Sequence, residues 1–180
     1  SSGAELRLAL NSYTRIDHAN GQNEGMEDSK LSIKFSLKSV ADGWQPAMTL
    51  LPGLSTDTGH PDIGNGVHLP SLMLLLDWRL PNSISLTSNM GWERAVSDEQ
   101  KLDKYSASLS MGFPLARRLS GYAEVYLFDR EKPGGGTSSF YDLDLVYLLT
   151  HTLSIDATAG SGLRGNNTDY FFGFGLSKRW

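Results

Sequence analysis

The last twelve residues of the sequence, Asp169–Trp180, alternate between two kinds of side chain. One set is apolar and consists of Tyr170, Phe172, Phe174, Leu176 and Trp180; the other consists of Gly173, Gly175, Ser177 and Arg179. Because successive side chains of a β-strand point to opposite faces, this pattern predicts a strand with one apolar face. Such a face needs apolar material beside it, either a second sheet or the hydrocarbon of a membrane.

The same alternation recurs along the chain. It predicts ten strands: Ala4–Arg15, Ser29–Lys38, Gln45–Ser55, Leu69–Leu80, Ser83–Arg94, Lys104–Pro114, Leu119–Arg130, Phe140–Leu149, Leu153–Leu163 and Asp169–Trp180. Most of these segments have ten to twelve residues, whereas an ordinary globular strand has about 5–6. A tilted strand that crosses a bilayer needs about 9–11 residues. Strand length therefore favours a membrane barrel.

The connections between the predicted strands alternate in length. The short ones follow the even-numbered strands and are Ser39–Trp44, Pro81–Asn82, Leu115–Arg118 and Thr150–Thr152. The longer ones follow the odd-numbered strands and are Ile16–Asp28, Thr56–His68, Ala95–Asp103, Glu131–Ser139 and Arg164–Thr168. Short periplasmic turns and longer extracellular loops are typical of outer-membrane barrels. The pattern predicts an all-β, antiparallel transmembrane β-barrel of about ten strands, with residues 1–180 forming a single domain.

The polar side chains of the predicted strands form the second face. If the apolar set faces lipid, the lumen is lined by Glu5, Arg7, Lys30, Lys34, Lys38, Asp77, Arg79, Glu93, Glu124, Asp142, Asp144, Asp156 and Arg179. Unpaired charges in a confined space cost several kcal/mol each, so this nearly balanced set predicts an ion-pair network or a hydrated lumen. A water-soluble sandwich would instead bury the apolar face between two sheets. Alternation alone does not separate the two folds; strand length and loop lengths favour the barrel.

Aromatic residues fall near both ends of the predicted strands. The set expected at the two lipid interfaces is Trp78, Trp92, Tyr105, Phe113, Tyr141, Tyr170 and Trp180, with Tyr13 near the loop end of the first strand. Amphipathic rings are enriched at membrane interfaces, and outer-membrane barrels carry two such girdles. The alternative is a group of ordinary core aromatics in a sandwich.

Composition restricts the possible functions. The chain has no cysteine, which excludes disulfides and thiolate metal sites. Its net charge of −4 does not favour a nucleic-acid partner. The longest strongly apolar run, Leu72–Leu76, is far shorter than the roughly 20 residues of a transmembrane helix.

The histidines offer the only candidates for metal binding or catalysis. His60 and His68 lie in one predicted loop with Asp57 and Asp62, and Ser55 precedes them. These residue types can bind a metal, and a serine beside a histidine can act as a nucleophile. No supporting pattern accompanies them, so solvated loop residues are the favoured interpretation, and no metal, cofactor or catalytic residue is predicted.

Other polar loop segments have equally simple interpretations. Gly134–Gly136 lacks the strand-to-helix context of a phosphate-binding loop and is predicted to be a flexible connection. The acidic residues Asp98, Glu99 and Asp103 and the cluster Glu24–Asp28 are candidates for contacts with divalent cations near lipopolysaccharide. Solvated loop charge is the favoured interpretation of both.

Several short motifs resemble a known family. They are Leu50–Gly66, which reads LLPGLSTDTGHPDIGNG, together with Trp92–Arg94 and Gly173–Ser177. They resemble the outer-membrane family named "MetA-pathway of phenol degradation", whose members are often described as transporters. The resemblance implies a barrel and a passive route for aromatic or other small molecules, and it supplies no catalytic residues. Its members are longer at the N-terminus, which makes twelve strands the alternative count.

The C-terminal strand adds an expectation about assembly. A last strand that ends in an aromatic residue resembles the assembly signal of outer-membrane barrels in Gram-negative bacteria. The sequence therefore predicts a narrow, porin-like channel or passive transporter in the outer membrane, or alternatively a closed structural barrel with a polar, side-chain-filled interior. The expected partners are the lipid bilayer, lipopolysaccharide and the barrel-assembly machinery.

Overall fold

Almost all of the described chain is β-structure. The computed structural model describes residues 3–10, 13–18, 21–39, 44–97, 100–129, 134–164 and 170–179. Its strands are β1 (Ala4–Ala9), β2 (Tyr13–His18), β3 (Gly21–Met26), β4 (Lys30–Lys38), β5 (Ala47–Ser55), β6 (Leu69–Arg79), β7 (Ser85–Ser97), β8 (Gln100–Ala116), β9 (Leu119–Phe128), β10 (Ser138–Leu148), β11 (Leu153–Arg164) and β12 (Phe171–Lys178). A single 3₁₀ turn, Pro81–Ser83, is the one helical element within these ranges, and no helix there is long and apolar enough to cross a membrane.

Ten of the strands form one antiparallel sheet in the order β1-β4-β5-β6-β7-β8-β9-β10-β11-β12. They correspond to the ten predicted segments, so the predicted all-β antiparallel fold is confirmed. The remaining strands, β2 and β3, pair only with each other in the described part of the chain.

The first predicted strand was too long at its C-terminal end. It ends at Ala9, and Tyr13 lies on β2 of the separate hairpin, not on the large sheet. The segment Gly21–Met26 reads GQNEGM, which has no apolar alternation, so its pairing with β2 left no period-2 signal.

The register of the sheet brings polar residues of neighbouring strands together. Gly53 lies opposite Ser32 on one side and Ser71 on the other. Ser71 lies opposite Glu93, and Glu93 lies opposite Lys104. Since directly opposed residues share a face, this row follows one face of the sheet across five strands.

The apolar face of the sheet is exposed and the polar face is partly shielded, which is the reverse of a soluble protein. On β4 the apolar Leu31 is 40% exposed, while Lys30 and Ser32 on the other face are partly shielded. Leu69 is the one buried apolar side chain among the described residues. No second sheet covers the apolar face in this part of the chain, so the sandwich alternative is wrong.

The large sheet curls around its polar face. A cavity of about 390 Å³ is lined by Lys30 of β4 and also by Phe128 of β9, five strands away in sheet order. In a flat sheet those strands would lie about 24 Å apart, whereas a spherical cavity of this volume is only about 9 Å across. The polar face is therefore concave and the apolar face convex.

The edges of the sheet are not joined in this structure. No ladder links β1 to β12 in the described part of the chain, although closure of the predicted barrel requires these strands to pair, near Leu8 and Phe174. These two side chains are 65% and 89% exposed. The sheet is curled but open, and closure into a barrel stays a prediction.

Candidate functional site

The predicted lining residues share the concave face of the sheet. The register places on this face Glu5, Arg7, Lys30, Lys34, Asp77, Arg79, Glu93, Glu124, Asp142, Asp144 and Asp156. Lys38 follows a register shift in β4, and its Nζ donates to Gln45 Oε1 at 2.5 Å. Arg179 lies beyond the end of β12. That these residues line a closed lumen stays a prediction.

Small residues keep space open beside the cavity. A Cβ atom on Gly53 would lie 2.7 Å from Ser71 Oγ, and one on Gly91 would lie 2.5 Å from Ser106 Oγ. All four residues line the cavity. With a volume of about 390 Å³ it lies within the range of small-molecule sites. This part of the concave face can hold a small solute.

Three aromatic rings that the sequence analysis missed also lie on the concave face. The ring centroids of Tyr126 and Phe140 are 5.3 Å apart and nearly parallel, and Phe128 lies edge-on to Tyr126 at 5.7 Å. Tyr126 opposes Phe140 in the register. The alternating Val125 and Leu127 face outward, so β9 carries apolar side chains on both faces and the sequence does not mark its rings as inward-facing.

Carboxylates lie beside this aromatic cluster. Asp142 is directly opposite Glu124, and on the next row Asp144 accepts a hydrogen bond from Thr158 Oγ1 at 2.8 Å. Like charges directly opposite each other on a sheet are destabilising unless solvent or a counter-charge compensates them. This wall is the most acidic part of the concave face.

An ion-pair network and a hydrated lumen were the two alternatives predicted for the interior, and among the described residues no ion pair joins neighbouring strands on the concave face. Lys34 and Glu124 form no ion pair in the part of the chain that the structure describes, whereas Arg7 pairs with its own neighbour Glu5 at 2.9 Å. β4 and β9 lie five strands apart in the sheet, so the side chain of Lys34 does not reach the carboxylate of Glu124. Their charges need water as a partner.

A buried carboxylate holds the longest described loop. Asp28 is only 3% exposed; its Oδ1 accepts from the backbone N–H groups of Gly59 (2.9 Å) and Thr58 (3.3 Å). Its Oδ2 accepts from the backbone N–H and side-chain Nδ2 of Asn65, at 2.8 and 2.9 Å. Burial by itself raises the pKa of Asp28, but the N–H donors outweigh it and lower that pKa below its ordinary value. The expectation of solvated charge is therefore wrong for Asp28.

The loop fixed by Asp28 lies at one end of the concave face. The backbone N–H of His60 donates to Met26 O at 2.8 Å, which ties the loop to β3. Asn65 lines a second cavity together with Glu93 and Lys104 near the loop ends of β7 and β8. Asp28 thus fixes the position of Thr56–His68 beside this second cavity.

The loop histidines have ordinary partners. His60 Nδ1 lies 3.5 Å from Asp62 Oδ2, and His68 Nδ1 accepts from the backbone N–H of Asp57 at 3.2 Å. In the described ranges no three potential metal-binding side chains come together.

The predicted interface aromatics occupy the convex face. Those in the described ladders are Trp78, Trp92, Tyr105, Phe113 and Tyr141. Tyr170 precedes β12, with its ring centroid 5.8 Å from that of Phe172, and Trp180 lies outside the described residues. Trp92 Nε1 donates to Asp103 Oδ1 at 3.1 Å, and Arg94 pairs with the same carboxylate at 2.7 Å. This charged group marks the loop-side end of the apolar surface on β7 and β8. A position at a lipid interface stays a prediction.

Comparison with protein families adds to this geometry. The model of the family described as "Putative MetA-pathway of phenol degradation" matches residues 3–180. The chain belongs to this family. The resemblance inferred from Leu50–Gly66 and the two shorter motifs is confirmed. The search of curated proteins gave no significant match to the chain.

Proposed function

We propose that this chain is a transmembrane β-barrel of the bacterial outer membrane that forms a narrow, water-filled passage for small molecules. The observation that carries the proposal is the reversed burial of the curled sheet. Apolar side chains cover its convex face, whereas the concave face carries most of its charged side chains beside the rings of Tyr126, Phe128 and Phe140. Exposure of this much apolar surface to water is unfavourable, whereas the same surface is compatible with lipid.

The strands are long enough for this setting. In the large sheet, β4 to β11 each have nine residues or more, against about 9–11 for a tilted strand in a bilayer. A sheet edge exposed to hydrocarbon would leave backbone groups without partners, so β1 and β12 pair in the membrane and close the barrel.

Water in the interior favours a passage over a filled structural barrel. Lys34 and Glu124 have no ionic partner within the described residues. Charged groups without partners are costly in a dry interior, so they hold water around them. Barrels of about eight strands are filled by their own side chains, and ten strands leave slightly more room.

The class of solute is inferred from the family name and from the aromatic rings on the concave face. The family name associates these proteins with phenol degradation. The rings of Tyr126, Phe128 and Phe140 offer an apolar surface on the concave face. Small molecules, aromatic compounds among them, fit this combination, and the proposal includes no catalytic role.

The proposal also assigns partners to the outer surfaces. The convex face contacts lipid, and the loop side contacts lipopolysaccharide. The C-terminal strand β12 is the segment that the barrel-assembly machinery recognises.

Single-channel recording in a planar bilayer tests the passage. We expect the wild type to give small, steady current steps, and Ser106→Trp to reduce them because Ser106 lines the cavity. Ala107→Trp is the matched control, since Ala107 opposes Met90 on the convex face. Absence of current in the wild type would favour the structural barrel, and equal currents in all three proteins would contradict the assigned faces.

A further inference from the structure

The charges of the concave face are separated between two walls. One wall, on β9, β10 and β11, carries Glu124, Asp142, Asp144 and Asp156. No lysine or arginine shares the concave face of these strands within their described ladders. The opposite wall is β4 with Lys30 and Lys34.

The strands between these walls are close to neutral. Asp77 and Arg79 lie two positions apart on the same face of β6. Glu93 of β7 is directly opposite Lys104 of β8. Neighbouring opposite charges cancel at a distance, so the separation that remains is the one between β4 and the acidic wall.

The order of the sheet places these walls across from each other. β4 and β9 are five positions apart in a sheet of ten, so they become diametrically opposite when the ends join. Lys34 and Glu124 each lie near the middle of their strand. Since no ion pair joins them in the described chain, their charges are not neutralised by direct contact.

We propose that the lysine wall of β4 and the carboxylate wall of β9–β11 create an electric field across the passage that favours zwitterionic small molecules over uncharged molecules of equal size. The inference rests on the passage proposed above. A low-dielectric wall concentrates the field of its charges in the cleft between them. A zwitterion that aligns its ammonium group with the acidic wall and its carboxylate with the lysine wall gains at both ends, while an uncharged molecule does not.

Two structural isomers provide the measurement. β-Alanine is zwitterionic at neutral pH, and lactamide has the same atomic composition without charge. Entry of each into liposomes that contain the full chain is followed by osmotic swelling, with protein-free liposomes as the baseline. We expect β-alanine to enter the wild-type liposomes severalfold faster than lactamide.

Variants of constant net charge test the cause. The neutralised variant carries Lys30→Gln, Lys34→Gln, Glu124→Gln and Asp142→Asn. Because Asp144 and Asp156 remain on the acidic wall, its preference for β-alanine should fall well below that of the wild type without vanishing. The reversed variant carries Lys30→Glu, Lys34→Glu, Glu124→Lys and Asp142→Lys, which makes β4 negative and leaves the opposite wall neutral overall. It should show the same reduced preference as the neutralised variant, because the charge separation is equal in size and a zwitterion can align with a field of either direction.

Two further proteins keep the result interpretable. Heat-modifiable gel mobility shows whether each variant folds. If the four-site variants fold poorly, the smaller variant Lys34→Gln with Glu124→Gln takes their place, and it should lose part of the preference. Arg117→Gln with Asp57→Asn removes a base and an acid from exposed turn and loop positions, and it should keep the wild-type preference.

The outcomes separate the two proposals. Equal entry of the isomers in the wild type, or an undiminished preference in the neutralised or smaller variant, would overturn the charge inference and leave the passage standing. Entry of neither isomer above the protein-free baseline would overturn both.

Discussion

At the scale of single residues, Asp28 anchors the Thr56–His68 loop. Its two oxygens accept hydrogen bonds from Thr58, Gly59 and Asn65. Asp28→Asn replaces one acceptor oxygen by a donor, and each hydrogen bond lost to a charged group costs about 1.5–3 kcal/mol. We expect faster amide hydrogen exchange throughout Thr56–His68. Asp57→Asn is the control, because Asp57 is exposed, and equal exchange in both variants would contradict the anchor.

The same residue predicts a pH dependence. The folded-state pKa of Asp28 lies below its ordinary value of 3.8, so its contribution is fully present above that pH and is lost as the pH falls through the folded pKa. The loop should therefore stay protected from exchange at pH 5 and open only in more acidic solution. Asp28→Asn should show no such transition; a transition near neutral pH in the wild type would point to another group.

Residue-scale features were also the hardest to predict from the sequence. Asp28 follows Glu24 and Glu27, and three acids within five residues are typical of solvated charge. Its hydrogen bonds join positions about thirty or more residues apart, which no local pattern encodes. The inward rings of β9 were hidden for a different reason, because Val125 and Leu127 make the outer face equally apolar.

At the scale of strands, close packing between β10, β11 and β12 depends on a glycine. A Cβ atom on Gly160 would lie 2.6 Å from the backbone oxygen of Tyr141 and 2.3 Å from Cζ of Phe171. Gly160→Ala should lower the free energy of unfolding by about 1–3 kcal/mol, as overpacking does elsewhere. At Gly173 the nearest atom would be Thr158 Cβ at 3.9 Å, so Gly173→Ala should be tolerated. Urea unfolding in lipid vesicles compares them, and equal midpoints would argue against this packing.

Adjacent residues of β6 test the assignment of its faces. Leu74 lies on the convex face opposite Met90, and Leu75 lies on the concave face opposite Asn89. Arginine near the middle of a bilayer costs about 2–4 kcal/mol on the lipid face, so Leu74→Arg should unfold at clearly lower urea concentration in vesicles. Leu75→Arg should be milder, because its charge reaches water; the reverse order would invert the faces.

The strands themselves were predictable because period-2 alternation is strong wherever one face meets apolar surroundings and the other meets water. The ten strands of the large sheet were found in this way, including β6 with Leu72, Leu74 and Leu76 on one face. The hairpin β2–β3 was missed because its polar residues create no contrast between faces. Closure was beyond the sequence pattern too, since alternation defines faces and not edge partners.

At the scale of the whole molecule, introduced cysteines test the expected pairing of β1 with β12. The chain has no cysteine, so disulfides between introduced cysteines form without competition from native thiols. In the membrane, Leu8→Cys combined with a cysteine at Phe172, Phe174 or Leu176 should give an intramolecular disulfide in at least one register. Leu8→Cys combined with Leu109→Cys on β8 is the control and should give none. Cross-links only between molecules would show that the free edges pair with a second copy and would contradict closure.

The order of the sheet also has a kinetic consequence. Apart from β1 with β4, every ladder of the large sheet joins strands that are consecutive in the described chain. Contacts between near neighbours in sequence form quickly, because little chain entropy is lost in bringing them together. Joining the two ends encloses almost the entire chain and carries the largest loop-closure cost. The growing sheet should therefore assemble hairpin by hairpin, and the seam between its first and last strands should be the final and slowest contact to form.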